Sequence, residues 1–114
     1  MSHDLSELQQ RVAAFRDERD WAQFHNPRNL AMAISIEAAE LLEIFQWREG
    51  AEVPGDKRDD VRDEMADVFA YLLSLADALG IDLGQALIDK LAHNARKYPA
   101  DLVRGSARKY TEYT

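Results

Sequence analysis

The chain has no cysteine. Disulfides, zinc–thiolate centres and cysteine nucleophiles are therefore excluded. Proline and glycine are scarce, three and five residues in 114, so few positions interrupt a regular element. No apolar run reaches the roughly 18 residues of a membrane span. The stretch "MSHDLSELQQ" lacks the basic-then-apolar order of a secretion signal. A soluble cytoplasmic protein, with no membrane partner, is the expectation. Positive charge is also in short supply: 14 Lys and Arg stand against 21 Asp and Glu, a net charge of −7. A surface for a nucleic-acid polymer needs basic residues to displace counterions, so no such partner is expected. One phosphorylated small molecule is compatible with this charge, because acids can hold Mg²⁺ and the cation can carry phosphates.

What the chain does have is apolar residues at helical spacing. The hydrophobic fraction is 46%, enough for a core. The length suits a single domain over residues 1–114. Leu5, Leu8, Val12 and Phe15 recur at three and four residues and predict a first helix from about Asp4 to Trp21 with one buried stripe. Asn26 as N-cap and Pro27 at the first turn open a second helix, expected to run to about Arg48. Gly50, Pro54 and Gly55 mark a connection. Asp56 is expected to cap a third helix, with Asp59 as the acidic member of a capping box, and Gly80 to end it in a left-handed C-cap. Asp82 caps a fourth helix that stops near Tyr98, because Pro99 follows. Residues 100–114 are expected to form an irregular tail. The fold class is all-α, a four-helix bundle-like protomer. The second and third helices are apolar over more than one face, which predicts an oligomer.

Against this pattern, "AISIEAAELLEIF" carries Glu37 and Glu40 inside an apolar run. They are three residues apart and share a helix face. Glu37 also falls in register with Leu30, Ile34, Leu41 and Phe45, near the core stripe. "RDEMADVFAYLL" repeats the device with Glu64 and Asp67. Two such pairs on neighbouring helices are expected to bring four carboxylates to one point. They stay ionised only beside cations, and oxygen-only ligands select Mg²⁺ or Mn²⁺. A single ExxE pair usually lies on a solvated face; what raises these two above that reading is the apolar run around each. A di-iron bundle would use Glu-x-x-His pairs, whereas acids stand at both ends here and His25 and His93 lie elsewhere. A helical interaction module without catalysis is the other rival. Glu43, Glu49, Glu52, Asp59, Asp60 and Asp63 are read as surface or capping acids.

Trp47 lies seven residues after Glu40, two helical turns or about 10 Å along the axis, and Tyr71 bears the same relation to Glu64. Aromatics at that distance from a metal–phosphate site suit a stacked nucleobase, although packing at a helix interface explains them equally well. Trp21, Phe24 and His25 stand in the polar linker "RDWAQFHNPRN". Lys90, Asn94 and Lys97 line one face of the fourth helix, opposite Leu83, Leu87 and Leu91. They are either phosphate ligands or a solubilising face.

"EAAELLEIFQW", "DEMADVFAYLLSLA" and "KLAHNARKYP" resemble the all-α nucleoside triphosphate pyrophosphohydrolases of the MazG-like superfamily. The mark of that superfamily is ExxE followed some tens of residues later by ExxD. "ERDWAQFHNPRNLA" and "RGSARKYTEY" are similar to its dCTP pyrophosphatase branch in particular. The likeness extends from Phe15 to Tyr113. It implies hydrolysis of a nucleoside triphosphate, dCTP or a 5-modified dCTP foremost, to the monophosphate and pyrophosphate. It implies Mg²⁺ held by Glu37, Glu40, Glu64 and Asp67, the catalytic acids, and a homotetramer with active sites between subunits. It places base and sugar recognition at Trp21, His25, Trp47 and Tyr71, with Asn94 nearby. Lys90, Lys97, Lys109 and Tyr110 are the phosphate candidates. There are two departures. Val12 stands where close vertebrate members of the branch carry His, which puts the cytosine preference in question. The connection between the second and third helices is also shorter.

Overall fold

A computed structural model describes residues 3–48, 55–106 and 111. All regular structure among these residues is helical. The long helices are α1 (Leu5–Glu18), α2 (Pro27–Phe45), α3 (Arg58–Leu79) and α4 (Leu83–Lys97), followed by a single turn, α5 (Ala100–Val103). Short 3₁₀ turns lie at Ala22–Phe24 and Gly55–Lys57. The chain forms two compact units, residues 1–81 and 82–114.

In the first unit α3 is the central element. It packs along α2 and, over a shorter length, against α1. Leu30 on α2 and Leu73 on α3 are each only 1% exposed. The caps account for most boundaries. Asp4 accepts from the Glu7 N–H at 2.7 Å, and Asn26 accepts from the Asn29 N–H at 2.8 Å with Pro27 just inside the helix, so both satisfy an orphan donor of the first turn. Gly80 closes α3 at φ 65°, and the Ile81 N–H reaches back to the Ala76 carbonyl at 2.9 Å. That αL residue with its backward bond is a glycine C-cap.

Four expectations fail in this unit. Helix α1 ends at Glu18, not Trp21, with Arg19 at its C-cap. Asp56 does not cap α3. It sits inside the 3₁₀ turn Gly55–Lys57, and the cap position falls to Lys57, which makes no side-chain capping bond. The expected capping box with Asp59 is therefore absent. Helix α2 ends at Phe45, not Arg48: the cap residue Gln46 leaves the helical region at ψ 136°, and Trp47 after it adopts φ 68°, uncommon for any non-glycine residue. Phe15 does not complete a buried stripe on α1: half of its surface is exposed. Glu49 and Glu52 lie outside the described residues.

In the second unit, Asp82 accepts from the Gln85 N–H at 3.0 Å and starts α4. The helix stops at Lys97, with Pro99 two residues on. The segment expected to be irregular carries the α5 turn. No helix among the described residues is long and apolar enough to cross a membrane.

Candidate active site

Helices α2 and α3 lie side by side and bring the two acid pairs together. Ligand oxygens of Glu37, Glu40 and Glu64 all lie within 4.8 Å of one another. All three residues are half-buried. Asp67 falls outside that set and is exposed, yet its charge still acts on Glu37 and Glu64. The spacing explains this. Asp67 is one turn further along α3 than Glu64, and its shorter side chain reaches less far.

Two oxygens of the trio, Glu37 Oε2 and Glu64 Oε2, are buried and have no hydrogen-bond partner. Burial pushes the Glu37 carboxyl up to about 7 from an ordinary 4.5, with Glu40 and then Asp67 and Glu64 adding to it. Glu64 is also raised, first by burial and then by the Glu40 charge, while its contact with Glu37 works the other way. Like charges at this distance cannot all ionise without compensation. The set holds only oxygen donors, is short of positive charge and leaves two lone-pair-bearing oxygens unused. That donor chemistry fits a hard divalent cation.

Next to the acids along α3 lies a cavity of about 140 Å³, roughly ten times what a single buried water needs. Asp67, Ala70, Tyr71 and Ser74 form its α3 wall, spaced so that all face one side. Val12, Phe15 and Arg16 of α1 form the opposite wall, and Trp21 and His25 of the linker close it. Phe15 is thus a cavity wall, which explains its exposure. The aromatics brace one another. Phe15 and Trp21 meet edge to face at 5.8 Å, and His25 faces Tyr71 at 6.5 Å. The Arg19 guanidinium covers the Phe15 ring at 3.6 Å, a cation–π contact. His25 Nδ1 is buried without a partner. Asn29 ties the linker down through a 3.1 Å bond to the Phe24 carbonyl.

Of the residues read as base-binding, Trp21, His25 and Tyr71 converge on this cavity. Trp47 does not lie on the face of Glu40, since the helix has ended; it stands 93% exposed. Lys90, Asn94 and Lys97 share a face of α4 in the second unit, where Lys90 and, less strongly, Lys97 hold the pKa of His93 below its ordinary 6.5. Lys109 and Tyr110 lie outside the described residues. Arg16 and Ser74 were missed. Arg16 follows Val12 by four residues, which was a signal that it shares the face pointing at α3.

The chain belongs to the MazG-like family, whose model matches residues 32–113. It is 44% identical over 114 residues to dCTP pyrophosphatase 1 of Homo sapiens, covering 95% of this chain and 66% of that protein. It is 43% identical over 113 residues to dCTP pyrophosphatase 1 of Mus musculus, with the same coverage. The chain thus spans just under two thirds of the length of these relatives. A crystal structure of a pyrophosphatase from Archaeoglobus fulgidus DSM 4304 superimposes with a TM-score of 0.80 at 45% identity, over 87% of this chain and 95% of that one.

Proposed function

We propose that this protein hydrolyses a nucleoside triphosphate to the monophosphate and pyrophosphate, with dCTP or a 5-modified dCTP as the leading substrate. The observation that carries the proposal is the Glu37–Glu40–Glu64 trio with its two unpartnered oxygens, set beside an aromatic cavity. A trio alone is a common surface feature. Here it adjoins a pocket lined by Phe15, Trp21, His25 and Tyr71, and the family and the names of the relatives point to the same chemistry.

A divalent cation, Mg²⁺ or Mn²⁺, held by Glu37, Glu40 and Glu64 with Asp67 beside them would neutralise charge on the triphosphate and on the departing pyrophosphate. The chain itself does the rest. Tyr71, Trp21 and His25 hold the base and fix the distance between it and the acids. Glu64 and Tyr71 are two turns apart on one helix, about 10 Å along its axis, so α3 sets that distance rigidly. A carboxylate of the acid set accepts the proton of the attacking water. The role would be balance or sanitation of nucleotide pools.

The active form is proposed to be a homotetramer with sites completed between subunits. Ile36 and Leu42 on α2 and Met65 on α3 are more than half exposed, apolar surface of the kind that marks an interface. In such an assembly Trp47, Asn94, Lys90 and Lys97 are the remaining substrate contacts, and the location is the cytoplasm.

The test is direct. The protein is incubated with Mg²⁺ and a panel of canonical and 5-modified triphosphates, and the first product is identified. Pyrophosphate together with the monophosphate is expected. Orthophosphate as first product would contradict attack at the α-phosphorus. No turnover, and no Mg²⁺-dependent thermal shift with nucleotide, would favour the interaction-module reading.

A further inference from the structure

The far end of the aromatic cavity holds two polar residues with opposite hydrogen-bonding character. Arg16 lies there with 19% of its side chain exposed. Its Nε donates to Asp17 and its Nη1 to Asp77, each at 2.9 Å. These two bonds use one edge and one arm of the guanidinium, leave Nη2 outside both, and fix the plane of the group. Ser74, 5% exposed, donates its hydroxyl hydrogen to the Ala70 carbonyl at 3.0 Å. What it has left for the cavity is lone pairs. One wall thus offers a donor that cannot accept, and the other an acceptor whose hydrogen is already committed. Ser74 lies ten residues beyond Glu64 on α3, about 15 Å along the axis. The pair is therefore placed to meet the base and not the phosphates.

We infer that Arg16 and Ser74 are specificity-determining residues that select a base carrying both a ring carbonyl and an exocyclic amino group. The inference rests on the proposed hydrolysis of nucleoside triphosphates. Among pyrimidines the pattern fits cytosine, with its carbonyl toward Arg16 and its amino group toward Ser74. Thymine and uracil present a carbonyl where cytosine has the amino group, and that carbonyl would face the Ser74 lone pairs. Adenine has no carbonyl for Arg16. Asp77 is a positioning residue: it acts only by holding the guanidinium.

The test measures kcat and KM for dCTP, dTTP and dATP with Mg²⁺, and thermal shifts with each nucleotide, in wild type, Ser74→Ala and Arg16→Met. Ser74→Ala should lower the dCTP-to-dTTP preference roughly tenfold, through KM, with kcat for dCTP and the melting temperature near wild type. Arg16→Met should raise KM for dCTP and dTTP alike and leave dATP little changed. Should Arg16→Met fail to fold, Arg16→Lys keeps a charge for Asp77 without the planar fork and should still lower the dCTP-to-dATP preference. A merely structural Arg16 would shift the melting temperature and leave these ratios alone. Unchanged ratios in both the Ser74 and Arg16 variants overturn the inference. Equal use of dCTP and dATP by wild type overturns it too, while the hydrolysis reading stands. Thermal shifts that favour dCTP without any pyrophosphate release uphold the inference about the base and overturn the hydrolysis.

Discussion

Glu37 on α2 and Glu64 on α3 each bury one carboxylate oxygen that no donor reaches, and the pair sits with Glu40 inside a 4.8 Å cluster. Neither residue gains from this arrangement in the absence of a cation. Burial raises the pKa of both, which means that the fold holds them against their preference for water. When ionised, the cluster is destabilising by itself; either a proton or a bound cation relieves it.

Glu37→Gln removes a charge and a ligand together. The metal-free variant should melt at a higher temperature than metal-free wild type, because repulsion with Glu40 is relieved. Its kcat should fall on the order of 10²–10³-fold, the scale for losing one group that stabilises transition-state charge. Calorimetry and pyrophosphate release check the two halves separately. A variant with near wild-type turnover would remove Glu37 from the site.

The raised carboxyl also fixes a pH dependence. Glu37 ionises near 7 in the folded protein and near its ordinary 4.5 when unfolded. Between those values the folded state binds more protons, so stability falls as pH rises from about 4.5 to about 7 and then levels. In EDTA, the melting temperature should be higher at pH 5 than at pH 8. His93, whose pKa is lowered chiefly by Lys90, works in the opposite sense below 6.5. It cancels when wild type is compared with Glu37→Gln. A flat difference between the two across this range would show that Glu37 is not the titrating group.

Much of this was legible from periodicity. The four long helices, the caps at Asn26, Gly80 and Asp82, and the pairing of Glu37–Glu40 with Glu64 all follow from spacing and side-chain chemistry. The failures have two physical origins. Spacing arguments assume that a helix continues. They could not see that Trp47 turns to a positive φ, or that Gly55–Lys57 tightens into a 3₁₀ turn and displaces Asp56 from its cap. Periodicity also equates apolar with buried. Phe15 fits the stripe of α1, but it faces a cavity. The Arg16–Asp77 bridge joins residues 61 apart in the chain, a pairing that no local pattern encodes.

Trp47 buries almost nothing in the protomer, so Trp47→Ala should leave protomer stability within about 0.5 kcal/mol. If a neighbouring subunit brings it over the base, KM should rise roughly tenfold, the scale of one lost stacking partner, with kcat little altered. Steady-state kinetics beside a thermal melt separate the two. An unchanged KM would return Trp47 to a role outside the site, and the sharp turn that carries it would then have no functional account.

Cation binding should be visible without any substrate. A ligand that binds the folded state alone stabilises it by about 2.7 kcal/mol at a hundred times its Kd. Added Mg²⁺ or Mn²⁺ should therefore raise the melting temperature of wild type, more at pH 8 than at pH 5, because the acids must be ionised to ligate. Glu64→Gln should lose most of that rise, and Glu43→Gln, an exposed acid of α2 outside the trio, should keep it. Equal shifts in the two variants would mean that the cations bind the acidic surface at large. A shift that follows Glu64 alone would locate them between α2 and α3, at the trio that holds the two unpartnered oxygens.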